Sequence, residues 1–259
     1  LDLYERAQAA TTGEQRRTLL DMFAQSTDNW TRSAIAAAAT GSAAAFVTDS
    51  LAYARPEALT DLVSAILPGA LPADAGRVLT AAARAPGQGN PLKPVIVRAV
   101  AQMNGSLSMD AATTDAVRTL LENPATTAAT LPIVARWDTA GTLKPDAQQR
   151  AAGLLRELND SGTADDRRAE IGASLLAMPA QRAAGLSAIE GMLAPPQSSE
   201  ALKTRLLSTL GNNAGADTDG AMISALARTG SIPIFDQLTK RPESATALLA
   251  AMKAGRITP

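Results

Sequence analysis

Prolines, glycines and Asn/Asp/Ser clusters cut this chain into apolar segments of roughly 10 to 15 residues, and that spacing restricts the fold most. Breaks fall near Gly41, Arg55-Pro56, Pro68-Gly69, Pro72, Pro86 to Pro91, Gly105, Asn123-Pro124, Gly141, Lys144-Pro145, Gly162, Met178-Pro179, Pro195-Pro196, Gly211 to Gly220, Gly230 and Arg241-Pro242. Proline is accepted in the first turn of a helix and resisted in its interior, so these positions read as helix entries. Between breaks the apolar residues recur at helical spacing. Over Gln15 to Gln25, Leu19, Leu20, Met22 and Phe23 share a broad face, with Arg16, Arg17 and Asp21 mostly off it. The stretch from Pro145 is the most regular, with helices expected at about 145–158, 164–177, 180–193, 198–210, 218–229, 232–240 and 243–254. Pro94 to Val100 and Ile232 to Phe235 are rich in β-branched or apolar residues. Neither alternates with period two or has a hairpin partner, so both read as helix. Roughly 13 to 15 short helices result, joined by connections that suit antiparallel hairpins.

Composition agrees with thin helices in layers. Of 259 residues 56 are Ala, and only 3% are aromatic. Alanine is the best helix former and permits close helix approach, whereas deep globular cores draw on aromatics. The chain therefore reads as all-α, one elongated stack of helical hairpins over residues 1–259, less regular over 1–142 and more regular over 143–259. A loose motif of Arg before small and apolar residues occurs at Arg32, Arg98 and Arg118, and more weakly at Arg150 and Arg182, spaced 66, 20, 32 and 32 residues apart. This irregular spacing suggests degenerate repeats with uneven loops. Each Arg is expected to bind carbonyls or an Asp of the adjacent repeat.

The residue types exclude much chemistry. Without His there is no Ser-His-Asp or Cys-His catalysis and no imidazole metal site. Without Cys there are no disulfides, zinc knuckles or iron–sulfur clusters, and no covalent haem site. A net charge of -1 provides no electrostatic attraction toward nucleic acid or an anionic membrane. No run of 18 consecutive apolar residues marks a membrane span, and no signal peptide is evident. The chain starts at Leu1 rather than Met, and reads as a piece of a longer polypeptide.

Several clusters have a structural and a functional reading. In Asp165-Asp166-Arg167-Arg168 the acids complement a helix dipole, the other reading being a functional salt cluster. Asp217-Thr218-Asp219-Gly220 resembles part of a calcium loop but lacks its later ligands, which favours a helix cap. Pro86-Gly87-Gln88-Gly89-Asn90-Pro91 lacks the Lys of a phosphate loop and reads as a turn. Asn29-Trp30-Thr31, Asn104-Gly105-Ser106 and Asn159-Asp160-Ser161 match the glycosylation triplet, which matters only in a eukaryotic secretory setting. Trp30, at a helix start, reads as packed into a neighbouring hairpin. Trp137, flanked by Arg136 and Asp138, is the expected exposed partner contact. Asp28 and Arg32 stand four apart, so the acid can meet the base one turn on.

The segment Ser26-Thr27-Asp28-Asn29-Trp30-Thr31-Arg32-Ser33-Ala34-Ile35 resembles the Asp-x-Trp-x-Arg-x-Ala-Ile entry of HEAT-like repeats in large exported proteins of planctomycete- and verrucomicrobia-type bacteria. Those proteins place a sugar-dehydrogenase-like β-propeller first, a HEAT-like region next and a c-type haem domain last. The cadence from Leu143 to Met252 is similar, and Ala247 to Ile257 resembles the region's closing helix. The resemblance implies a HEAT/armadillo-like α-α superhelix and a non-catalytic, periplasmic or exported scaffold between two redox modules. It implies no cofactor in this chain, haem being confined to an absent downstream domain. Partners would be neighbouring domains or another protein, with no nucleic acid, no membrane insertion and a monomeric state. The alternative is a stand-alone helical ligand-binding protein or an enzyme using carboxylates.

Overall fold

A helix entry needs acceptors for the free N–H groups of its first turn. In the computed structural model, which describes residues 12–194 and 198–257, side chains supply them where the sequence places N-cap types. Thr12 and Gln15 form a reciprocal capping box at the start of α1 (Gly13–Gln25). Asp28 accepts from the backbone N–H groups of Trp30 and Thr31 at 3.2 and 2.8 Å and opens α2 (Asn29–Ala39). After a 3-10 turn, Thr40–Ser42, come α3 (Ala43–Leu51), a second turn at Pro56–Leu59, α4 (Thr60–Ala70), α5 (Ala75–Arg84) and α6 (Leu92–Gln102). Asp110 caps α7 (Ala111–Glu122), which is followed by α8 (Thr127–Trp137) and α9 (Lys144–Asn159). Then follow α10 (Asp165–Leu176), α11 (Arg182–Leu193), α12 (Glu200–Asn212, capped by Ser199), α13 (Ala216–Thr229), α14 (Ile232–Thr239) and α15 (Pro242–Lys253).

The fold is all-α, with no strand among the described residues. The two β-branched stretches lie in α6 and α14, as expected. The break expected at Pro68-Gly69 is displaced: Pro68 sits in the last turn of α4, where its missing N–H forfeits one bond and the helix ends at Ala70. The break at Pro195-Pro196 lies outside the described residues. Gly230, at φ +62°, takes the left-handed position that closes α13.

The chain divides into two compact units, Leu1–Asp146 and Ala147–Pro259. In the first, α1 packs on α2, α3 on α4, α5 on α6 and α7 on α8. Every helix also packs on the next but one, giving a row α1, α3, α5, α7 and a row α2, α4, α6, α8. Between the rows lie Ile35, Phe46, Leu59, Leu62, Leu79, Ile96 and Leu120, all fully buried. The second unit repeats the scheme, α10, α12 and α14 forming one row and α11, α13 and α15 the other. Its core holds Ile171, Leu175, Ile189, Leu202, Leu206, Leu210, Met222 and Leu238.

The 23-residue run Asn29–Leu51 is long and apolar enough to cross a bilayer by length and composition, its mean hydropathy raised by alanine. Counting consecutive apolar residues overlooks it, because polar residues interrupt it. Half of its most apolar window is buried inside the protein, and a 3-10 turn interrupts the α-helix at Thr40–Ser42. Ile35, Phe46, Val47 and Leu51 are part of the core of the first unit.

Candidate functional site: bridging bonds and two recesses

Polar side chains tie successive hairpins together along each row, several of them 29 to 35 residues apart. In the first unit Arg16 Nε donates to Asp49 at 2.6 Å, 33 residues on. Arg32 Nη2 donates to Asp61 at 2.8 Å across 29 residues. The Tyr53 hydroxyl donates to Asp21 across 32, and Arg136 Nη1 to the Met103 carbonyl across 33. In the second unit Ser199 donates to Asp165 across 34 residues, Arg182 to Asp217 across 35 and Ser224 to Glu190 across 34. Each bond joins one hairpin to the next. In these seven bonds the partners stand 29 to 35 residues apart, whereas Asn90 reaches the Leu51 carbonyl across 39 and Arg241 reaches Asp219 across 22.

The signature residues do different work. Asp28 serves as a cap, and the Thr31 hydroxyl and backbone N–H hold its carboxyl below the ordinary range. It does not meet the Arg32 side chain, which turns instead to Asp61 of α4 and lies over the Phe23 ring, 4.4 Å from its centre. Arg98 returns to the Pro94 carbonyl of its own helix. Arg118 pairs with Asp115 one turn back at 2.9 Å and approaches Asp146 at 3.7 Å. Arg182 matches the expected pattern, meeting the carbonyls of Leu176 and Asn213 besides Asp217.

The two tryptophans exchange their expected roles. Trp137 is 8% exposed and Trp30 is 73% exposed. The charges flanking Trp137 cover it rather than lifting it out. Arg136 stacks over the indole at 4.6 Å, while Asp138 accepts from the Thr142 and Leu143 N–H groups and turns the chain. Trp30 stands in the first turn of α2 on the solvent side.

An open groove of about 1080 Å³ follows α3, α5 and α7 in the first unit, lined by Thr48, Gly76, Arg77, Thr80, Arg84 and Thr113 among others. Its floor is shallow because α5 and α7 approach closely: a Cβ on Gly76 would stand 2.9 Å from the Thr113 hydroxyl. Arg77 pairs with Asp74 at 2.9 Å, Arg84 is exposed, and Asp110 borders the groove. A smaller recess of about 630 Å³ opens in the second unit around Arg168.

The calcium-like run is dispersed. Asp217 points to Arg182, which holds its carboxyl low, whereas Asp219 is buried against Arg241 and Ser244. Neither acid is the cap of α13, whose N-cap is Gly215. No group of three or more Asp/Glu that could hold a metal occurs among the described residues.

No family model, curated protein or solved structure matches this chain.

Sequence reasoning passed over Arg168 as part of a charged run, yet the signal was present. Positions 168, 171, 172 and 175 form one helical stripe, and Ile171, Gly172 and Leu175 are all buried. An Arg on that stripe must enter the protein.

Proposed function

We propose that the chain is a non-catalytic scaffold, a HEAT/armadillo-like solenoid of short hairpins that holds a partner protein or a neighbouring module along the groove of α3, α5 and α7. The observation that carries this reading is the set of hairpin-to-hairpin bonds recurring at 29 to 35 residues in both units. Bonds of this kind between hairpins within each unit are what a repeat protein would use, in which adjacent faces bury a core and a lengthwise face is left for binding. The interval is shorter than the roughly 40 to 47 residues of typical HEAT and armadillo units, consistent with helices of 8 to 16 residues. In the setting implied by the resemblance, the scaffold is a spacer between a sugar-dehydrogenase-like β-propeller and a c-type haem domain of an exported redox protein.

The test is on the native polypeptide. An antibody raised to this chain is used to probe size-separated exported proteins, and the same lane is stained for covalent haem. The expected result is a haem-positive band far above 26.6 kDa. A haem-free band near that mass overturns the redox-spacer setting.

A further inference from the structure

In the tetrad Asp165-Asp166-Arg167-Arg168 three of the four charges are met by side chains. Asp165 accepts from Ser199, and Asp166 pairs with Arg205. Arg167 binds Glu157 at 2.9 Å and Glu170 at 3.0 Å. Arg168 is different. It is 6% exposed, and no carboxylate lies within ion-pair distance among the described residues. Among the described residues its side chain makes one bond, from Nε to the Leu158 carbonyl at 3.0 Å, at the C-terminal end of α9. A guanidinium carries five N–H donors, and capping that carbonyl uses one. The four on Nη1 and Nη2 remain, on a side chain that lines the 630 Å³ recess between α9, α10 and α11. Among the described residues no counter-charge meets the guanidinium in the recess, and an anion delivered there would gain charge-assisted bonds from its Nη groups.

The rest of the recess narrows the class of anion. The hydroxyls of Ser161 and Ser187 line it without a hydrogen-bond partner among the described residues, and Asn159 stands beside them. No Asp or Glu is on its wall. The remaining wall is apolar, from Leu155 to Met192. One fixed planar cation, two free hydroxyls and an apolar wall suit a monoanion with a small hydrocarbon body. The paired Nη groups match the two oxygens of a carboxylate. We propose that this recess binds a small aliphatic carboxylate, with Arg168 as the anion-holding residue and Ser161 and Ser187 as secondary donors. The proposal does not depend on the scaffold reading.

Butyrate is the probe, titrated into the ¹⁵N-labelled chain with amide shifts and calorimetry as readouts. The uncharged isostere butyramide and inorganic phosphate are run in parallel. Butyrate should shift the amides of Ser161, Ser187 and Met192, and butyramide should bind at least about tenfold more weakly, since the charge-assisted bond is lost. Arg168→Gln should weaken butyrate by a similar factor. Because that residue is buried, a second variant guards against misfolding. Gly191 lines the recess and a Cβ there would meet nothing within 4 Å, so Gly191→Leu adds its Cβ at the recess wall without a clash. It also replaces a glycine in the last turn of α11 and should leave the melting temperature unchanged or raised. Loss of the butyrate shifts in this folded variant supports the site. Equal binding of butyramide, shifts that survive Gly191→Leu, or no shift at these amides overturns it. Phosphate binding more tightly than butyrate overturns the carboxylate class.

Discussion

Replacing Asp219 with Ala tests whether the polar contacts between successive hairpins stabilise the second unit or merely decorate it. Asp219 is 5% exposed on α13. Its Oδ1 accepts from Arg241 Nη2 at 2.7 Å and from the Ser244 hydroxyl at 2.8 Å, tying α13 to the start of α15. Arg241 Nε is buried with no partner among the described residues, and Nη2 is shared between that carboxylate and the Ser244 hydroxyl, so Asp219 is the counter-charge the guanidinium depends on. Removing one member of a buried pair costs about 3 to 5 kcal/mol, because the other charge is left uncompensated. The Arg241 side chain keeps 26% of its surface in solvent, which screens it and places the expected cost near the lower end, about 3 kcal/mol. With a urea dependence of about 2 kcal/mol/M for a unit of this size, the midpoint should fall by about 1.5 M. Both tryptophans, Trp30 and Trp137, lie in the first unit, so indole fluorescence does not report on the loss. Hydrogen exchange of the α13 amides against urea does. The double variant Asp219→Ala/Arg241→Met should be less unstable than the sum of its singles, by about 2 kcal/mol. A midpoint change below about 0.4 M, or simple additivity in the double variant, refutes the argument that this pair acts as a unit.

Trp137→Ala should destabilise the first unit by about 3 to 5 kcal/mol, and Trp30→Ala by no more than about 0.5 kcal/mol. Thermal melts of the two variants decide it, and equal effects would contradict their assigned burial. Lys93 is buried with its ammonium 2.7 Å from the Ala85 carbonyl, and burial lowers its pKa below 10.5. Between the folded value and 10.5 the unfolded chain therefore holds the extra proton, so stability rises with pH through that window. Urea titrations on the alkaline side should show the rise in the wild type and lose it in Lys93→Met. The hydrogen bond from Arg182 lowers the Asp217 pKa below 3.8, so its contribution is present above 3.8 and fades as pH falls through the folded value. Asp217→Asn should flatten that part of the acid unfolding curve, and an unchanged curve would remove the pair from the account.

Helix limits were legible because local chemistry sets them. Pro145, Gly162, Gly230 and Pro242 stop or start helices through their own backbone restrictions, and the seven helices expected after Pro145 agree with α9 to α15 within about two residues. Side-chain partners were not legible, because distance along the chain conceals them. Asp28 was the acid nearest Arg32 in sequence, but it is occupied by the helix entry it caps, and Asp61 on α4 takes the guanidinium. The same limit misplaced Trp137. Flanking charges suggest solvent only if they are free, and Arg136 and Asp138 both fold back onto the chain.

The bonds between hairpins show why a residue motif was the wrong thing to seek. Stacked hairpins require that a donor on one meet an acceptor on the next, and any suitable pair satisfies this. Here the donor is an arginine at Arg16 and Arg182, a phenol at Tyr53 and a hydroxyl at Ser199 and Ser224. The acceptors are carboxylates in some bonds and a backbone carbonyl for Arg136. Residue identity changes from bond to bond, so the Arg spacings of 66, 20, 32 and 32 do not follow these pairings. Arg168 is informative for the opposite reason. Among the described residues its Nη donors meet no protein acceptor, so the pairing between hairpins does not account for its place on the buried stripe of α10.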